Sequence, residues 1–504
     1  MYLTQGLHRS LQRHPAKTAL LHLGEGAERR HDFAGLIDSV ARQAAALAAR
    51  GIRSGERVAL LAPNTDHLVL AILACWWLGA VACPLNVRWS SAELAHALAD
   101  SDASLLLVDA ALSGAVPDAA TPVLPLDELA AQAHSLAPLP DTRTGGDALA
   151  ALLYTGGTTG RSKGVMLSHA NFWTASMTRG AELNNSPASV TLLVAPLFHV
   201  AGLGRLIGQL LVGGGWVTMP QFRAARVLEA IEQHGISDII AVPSMLQLLL
   251  DDPAFRAERV QGLARIAFGA APMPPDLLDR ALQAWPKAEF FQAYGMTETA
   301  GAVSVNLPAN HRPEARALGL LNSVGRAGLG AEIIVADEQG RELPRGEVGE
   351  ILARGPMVMR GYWRQPEATQ AALRDGWLRT GDGGRMDGEG YLFIADRLKD
   401  MIISGGENVY SAEVEAALRT HPAVALAAVV GVPDLQWGEA VHAVVVTKPE
   451  AAADTAGLAD ALRAWCRTQL AGYKCPRAFS FVPELPMSAA GKVLKNVLRS
   501  QLRK

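Results

Sequence analysis

The chain has 504 residues, 49% of them hydrophobic and 19% charged, with 46 Lys and Arg against 49 Asp and Glu for a net charge of −3. That length suits about three domains or one large lobed body with an appendage, and the near-neutral balance leaves no basic footprint for nucleic acid. The four cysteines, Cys75, Cys83, Cys466 and Cys475, have neither metal-ligand nor disulfide-framework spacing, which points to a reducing, cytoplasmic setting.

Met1-Tyr-Leu-Thr-Gln-Gly lacks the basic-then-apolar plan of a signal peptide. Residues 68–85 form the longest uncharged apolar run, with Trp76 and Trp77 inside it. Slightly short for a spanning helix and ending in Pro84-Leu85, it reads as a core helix leading into a strand, so no transmembrane segment is expected. From 58 to about 220, short β-type runs alternate with longer helical patterns: 58–61 with 68–78, 91–98 with 105–108, 190–194 with 199–211. The rhythm continues through 239–242, 266–268 and 290–292, and argues for an α/β fold of layered, largely parallel sheets. Past Gly325 the texture changes: 331–335 and 350–353, with Asp337-Glu338-Gln339-Gly340 between them, read as hairpins of a β-rich subdomain over about 325–394. From Lys399 a strand, a helix (412–418), two strands (424–430, 441–446), a helix near 461–470 and a basic tail suffice for a small α+β domain. The expected organisation is therefore 1–396 as the large domain, 397–400 as the junction and 401–504 as the small domain.

The stretch on which the chemistry turns is Tyr154-Thr-Gly-Gly-Thr-Thr-Gly-Arg-Ser-Lys-Gly164, preceded by a buried strand at 148–153 and followed by apolar 165–167, with Ser168 set to cap a helix from His169. Glycines let backbone N–H groups approach an anion, hydroxyls add donors, and Lys163 adds fixed positive charge, so the stretch reads as a phosphate cradle. A flexible surface loop is the alternative, and the rest of the chain decides. The P-loop register fails, because Arg161 and Ser162 stand where that motif needs its glycine. Further on, Gly269, Ala270, Ala271 and Pro272 follow the 266–268 strand, and small residues at a strand end let a flat ring approach the backbone. In Gln292-Ala-Tyr-Gly-Met-Thr-Glu298 a strand is expected to end at Gln292 and Gly295 to permit a turn, delivering Thr297 and Glu298 at the edge where open α/β sheets bind ligands. The hydroxyl can donate to a phosphate, and the carboxylate suits Mg²⁺. In Gly376-Trp-Leu-Arg-Thr-Gly-Asp382, a carboxylate behind a glycine turn can accept both hydroxyls of a ribose.

These strings, in this order and over about residues 10–500, resemble the adenylate-forming superfamily of acyl-CoA synthetases, luciferases and peptide-synthetase adenylation domains. The glycine loop departs from the family's usual form at Gly156, where Ser is common, and at Ser162, where Pro is common. The resemblance implies that Thr155, Gly156, Gly157, Thr158, Thr159, Gly160 and Lys163 hold the ATP phosphates. It places the adenine at Gly269–Pro272 with Gln292, Tyr294, Gly295 and Met296, and the ribose at Asp382 and Arg397. Pro196-Leu-Phe-His199 would lie beside the carboxylate substrate, in an acyl pocket of His199, Val200, Leu203, Ala293 and Gly295. No Asp stands next to Phe198-His199, which argues against an amino-acid substrate. Pro486-Met-Ser-Ala-Ala-Gly-Lys492 keeps the family's lysine but has Met487 for the usual Arg, and makes Lys492 the catalytic cation. Lys399 falls at the family's hinge position, Ser404, Gly405, Gly406, Glu407 and Asn408 would face CoA, and Ser411 stands where relatives usually have Pro.

The implied activity is an ATP- and Mg²⁺-dependent acyl-CoA synthetase with Thr297, Glu298, His199 and Lys492 as catalytic residues and Glu298 on the metal. Its small domain would swing about Lys399 between adenylation and thioester formation. Transfer of the acyl group to a carrier protein, or a non-catalytic nucleotide-binding role on the same scaffold, are the alternatives. The apolar helix after His199 (Val200, Leu203, Leu206, Ile207, Leu210) favours a fatty or aromatic acid. Arg205 lies about 120° round that helix from His199 and reads as structural. The oligomeric state stays open, a homodimer among the options.

Overall fold

Strands carrying Ile, Ala and Phe on both faces, such as Asp238–Ala241, Arg265–Phe268 and the start of Glu289–Met296, need helices on either side to keep them from water. In a computed structural model they lie in a nine-stranded sheet. Its order is Arg326–Ala327, Gly301–Asn306, Glu289–Met296, Arg265–Phe268, Asp238–Ala241, Val190–Leu193, Gly215–Thr218, Thr18–His22 and Arg29–Asp32. The run from Glu289–Met296 to Thr18–His22 is parallel, and antiparallel strands close both edges. The structure describes every residue except 27, 119, 156–161, 184, 270–272, 317, 398–399, 405–406, 435–436, 450–454, 489–491 and 503–504; at 313, 316, 397, 407, 408, 455 and 456 it describes the backbone alone.

A second sheet of seven strands runs Gly361–Tyr362, Lys163–Ser168, Leu149–Thr155, Val81–Pro84, Arg57–Leu61, Leu105–Val108, Val123–Pro125. The helix Asp66–Leu78 packs inside: Thr65 accepts the Leu68 N–H at its start, Gly79 takes the left-handed conformation at its end, and both tryptophans spend their indole N–H on carbonyls of Ala150 and Leu139 at 2.8 Å. The apolar run is thus a core helix, and among the described residues no helix is long and apolar enough to cross a membrane.

Contacts divide the chain into two compact units, residues 1–333 with 353–378, and residues 334–352 with 379–504. The second unit holds most of the β-rich region, where Leu392–Arg397 pairs antiparallel with Trp377–Met386, and the C-terminal sheet. There Val424–Asp434 and Gly438–Thr447 form a long hairpin, and Gly438–Thr447 also pairs with Ile402–Ser404, itself paired with Glu407–Val409, and with parallel Ala478–Phe481. Its core is Ile402, Val409, Val414, Leu418, Val429, Val441 and Leu462.

Two boundaries differ from those read in the sequence. The compact units part within the β-rich region rather than near Asp396, because Asp396 is tied to the C-terminal portion: it accepts from the Ser411 hydroxyl and, at 3.2 Å, from the Ala412 N–H that opens the helix Ser411–Arg419. The strand expected to stop at Gln292 continues to Met296, since Gly301–Asn306 folds back and supplies it with an antiparallel ladder.

Candidate active site

The cradle stretch links two antiparallel strands. Leu149–Thr155 and Lys163–Ser168 pair so that Thr155 faces Lys163 across its base; Gly156, Gly157, Thr158, Thr159 and Gly160 lie outside the described residues. The base is braced on both flanks. The Tyr154 hydroxyl donates to Asp100 at 2.7 Å, burial and that carboxylate hold it protonated well above the usual phenol range, and the His96 ring lies 3.2 Å from the Ser162 carbonyl. Beyond the hairpin Ser168 caps His169–Glu182 with a reciprocal pair, Asn171 N–H to Ser168 Oγ at 3.1 Å and Ser168 N–H to Asn171 Oδ1 at 2.8 Å.

Glu298 is 8% exposed, and its Oε1 accepts a 2.8 Å hydrogen bond from the Tyr362 hydroxyl. Tyr362 belongs to the short strand Gly361–Tyr362, which pairs with Val165 and Met166 of the hairpin, and Lys163 Nζ lies 5.0 Å from its ring centroid. One aromatic ring therefore joins the lysine of the cradle to the carboxylate offered for the cation. Burial and Glu298 both raise the Tyr362 pKa, so it stays a donor and fixes which carboxylate oxygen faces outward. The turn carrying Thr297 and Glu298 is tight: Thr299 Oγ1 accepts from Met296 N–H at 3.0 Å and donates to the Gly301 carbonyl at 2.6 Å. Glycine is required at 295, where a Cβ would overlap that same carbonyl. Gln292, Ala293, Tyr294, Met296 and Thr297 follow one another half-buried along this strand and turn, and Gly269, just past the end of the neighbouring strand Arg265–Phe268, abuts it; Ala270, Ala271 and Pro272 lie outside the described residues.

Among the described residues no cluster of three or more His, Cys, Asp or Glu is built to cage a metal. A single buried carboxylate beside a hydroxyl fits Mg²⁺, which takes one or two carboxylates and completes its shell with phosphate oxygens and water.

His199 sits at the start of Val200–Val212 with Phe198 packed on it at a centroid distance of 4.7 Å; Leu203 is fully buried and Val200 half-buried. The segment leading to His199 is held by a residue that the sequence alone did not reveal. Buried Asn64 donates to the carbonyls of Leu193 and Ala195, both at 2.9 Å, and accepts from Leu197 N–H at 3.0 Å. Asn64→Ala is expected to cost about 1–3 kcal/mol of stability and to raise KM for the acid more than for ATP. Asn64→Asp, which keeps the acceptor for Leu197 N–H but sets a carboxylate oxygen against the Leu193 and Ala195 carbonyls, should cost at least as much; denaturant melts with paired kinetics read both. Arg205 is structural, as its helical position indicates: it is buried and ion-paired with Asp238 at 3.3 Å.

In the second unit Asp382 is 5% exposed, its N–H held by Thr380 Oγ1 at 3.1 Å, and Arg397 stands opposite it in backbone register. Thr380 donates to the Ile351 carbonyl at 2.7 Å, while Glu350 takes Arg379 Nε at 2.7 Å and Gly381 N–H at 3.1 Å, so both residues before Asp382 are fixed. Ser404 pairs with Glu407 and Ile403 with Asn408 in a small hairpin; its turn residues Gly405 and Gly406, and Lys399, lie outside the described residues. Lys492 is exposed, its N–H donating to Ser488 Oγ at 3.0 Å and its carbonyl accepting from Ser488 N–H at 2.7 Å, which closes the motif into a loop.

Within the first unit, the buried Glu298 carboxylate and the strand pair ending in Thr155 and Lys163 meet at Tyr362, an arrangement suited to a cation and an anionic ligand. Residues 7–363 match the family model of the AMP-binding enzymes, and 413–492 that of the AMP-binding enzyme C-terminal domain. The chain belongs to this family, in the acyl-CoA synthetase branch of the adenylate-forming superfamily. It is 41% identical over 489 residues to a feruloyl-CoA synthase of an Amycolatopsis species, covering 96% of both chains. It is 35% identical over 470 residues to the long-chain-fatty-acid–CoA ligase FadD13 of Mycobacterium tuberculosis, covering 91% of both. Among solved structures it resembles the O-succinylbenzoate coenzyme A synthetase MenE of Bacillus subtilis in complex with ATP and magnesium, with a TM-score of 0.86, 34% identity and 99% of each chain covered.

Proposed function

We propose that the acid this synthetase activates is an aromatic acid of the phenylpropenoid kind, and that it works in the cytoplasm. The observation that carries the substrate reading is the identity with feruloyl-CoA synthase, 41% across 96% of both chains against 35% for the fatty-acyl ligase. Small residues at Ala293 and Gly295, both in the proposed acyl pocket, suit a flat ring. Four buried free cysteines accord with a reducing compartment.

The enzyme forms acyl-AMP from the acid and ATP and then the CoA thioester. A carboxylate oxygen attacks the α-phosphorus, the bond to the bridging oxygen breaks, and pyrophosphate leaves with the electron pair. The CoA sulfur then attacks the acyl carbon, AMP departs, and the thiol proton passes to solvent. Little covalent work falls to the protein, so its part is positioning and charge. Mg²⁺, when bound, neutralises phosphate charge. In this reading Thr155, Lys163 and Thr297 hold the phosphates, Glu298 takes the cation on the oxygen that Tyr362 leaves outward, and His199 with Leu203 and Ala293 seats the acid. Asp382 and Arg397 hold the ribose, Lys492 stabilises the adenylation transition state, and the Ser404–Asn408 hairpin meets CoA after rotation about Lys399.

A pyrophosphate-release screen over carboxylic acids, with and without CoA, tests the reading. Ferulate and 4-hydroxycinnamate are expected to lead, with thioester formed only when CoA is present; preference for straight-chain acids would refute the aromatic assignment. Asp382→Ala is expected to raise KM for ATP while leaving the ranking of acids as it was, and a changed ranking at unaltered ATP dependence would remove Asp382 from the ribose.

A further inference from the structure

Three arginines, Arg179, Arg205 and Arg265, lie buried or nearly so between the helices His169–Glu182 and Val200–Val212 and the nine-stranded sheet, with one carboxylate, Asp238, among them. Asp238 is already taken. Arg265 holds it through Nε at 2.6 Å and Nη2 at 3.0 Å, and Arg205 reaches it at 3.3 Å. Arg179 has no carboxylate partner among the described residues. Its Nη2 donates to the Gly204 carbonyl at 2.8 Å and more weakly to Ser176 Oγ at 3.4 Å, while Nε and Nη1 have no protein acceptor there. Burial and the like charge of Arg205 lower its pKa to about 10. Arg179 is only 9% exposed, and a guanidinium so buried without a carboxylate is costly; the carbonyl it bonds belongs to the neighbouring helix Val200–Val212.

Its surroundings point to a ligand. The guanidinium lies against Gly204, where a Cβ would come within 3.0 Å of Nη2 and 3.2 Å of Nη1, so a side chain at 204 would crowd the fork. On the other side, Nη1 is the only heavy atom among the described residues, Gly301's chain neighbours aside, within 4 Å of where a Cβ on Gly301 would stand, which leaves room for at least a methyl-sized group between them. Gly301 pairs with Met296, next to Gly295, and therefore borders the proposed acyl pocket.

We propose that Arg179 recognises an acceptor oxygen on the acid, remote from the carboxyl being activated, and so makes the enzyme selective for oxygen-substituted acids. This rests on the acid-activating reading of the site and adds to it the residue that chooses among acids. Matched pairs test it: cinnamate against ferulate, and hexanoate against hexanedioate. Wild-type enzyme should favour the oxygen-bearing member of whichever pair it turns over, and Arg179→Met should cut that kcat/KM ratio by about 10–100-fold, the worth of a hydrogen bond to a charged group. Arg179→Lys, which keeps the charge without the fork, should restore part of the ratio, and melting curves establish that both variants fold. Equal use of both members by the wild type, or an equal loss on both in Arg179→Met, overturns the proposal. Preference for the aliphatic pair refutes the aromatic assignment while leaving the pairwise prediction standing; turnover of neither pair overturns both.

Discussion

Lys492→Ala is expected to abolish acyl-adenylate formation, by ~10²–10³-fold or more, while a preformed acyl-adenylate is still converted to the thioester at close to the wild-type rate. Charge redistributes over the phosphates only in the first half-reaction, so a cation placed for that step has nothing to stabilise in the second. The side chain is exposed and its loop is closed by main-chain atoms and Ser488, so truncation should leave stability within about 0.5 kcal/mol of wild type. Single-turnover assays of each half-reaction decide the matter. An equal fall in both, in a folded variant, would show that the lysine does not act in one step alone.

Glu298→Gln is expected to lower kcat/KM by ~10²–10³-fold and to shift the Mg²⁺ dependence to higher concentration. The amide has nearly the carboxylate's shape and can still accept from Tyr362, so the change removes charge and little else. Tyr362→Phe makes the complementary change. It leaves the charge and strips its buried donor, a bond of about 1.5–3 kcal/mol when the acceptor is charged, so a loss of about 10–100-fold is expected. Because Tyr362 stays protonated well above the ordinary phenol range, no loss of activity from this hydroxyl should show up to pH 10. An unchanged Mg²⁺ titration in Glu298→Gln would place the cation elsewhere.

The strand–helix alternation was legible because buried parallel strands are written as apolar runs, and the strings proposed for the cradle, for Thr297-Glu298 and for Lys492 could be picked out because each is contiguous. Tyr362 and Asn64 were not legible. Tyr362 acts on a residue 64 positions away, and Asn64 on carbonyls 129 and 131 positions away, so each looked like part of the scaffold until the fold brought its partner near. Asp396 misled for a related reason. Read with Arg397 it belongs to the large domain's last motif, yet its carboxylate opens the helix Ser411–Arg419 through a hydroxyl that stands where relatives usually carry proline.

The position of Thr18–His22 in the nine-stranded sheet also sets a timetable for synthesis. Its parallel partner is Gly215–Thr218, and His22 and Thr218, which join side chains across that pair, are 196 residues apart. The neighbouring helix Gln5–Arg13 likewise waits for the far end of Val200–Val212, where Arg9 bonds the Leu211 carbonyl, and Lys17 waits for the Gly213 carbonyl. At roughly 5–20 residues per second, the apolar Ala19-Leu20-Leu21 segment leaves the ribosome about 10–40 s before its parallel partner exists, with only the antiparallel Arg29–Asp32 to pair with meanwhile. A nascent chain stalled short of residue 218 therefore carries a hydrophobic strand that can pair along one edge alone.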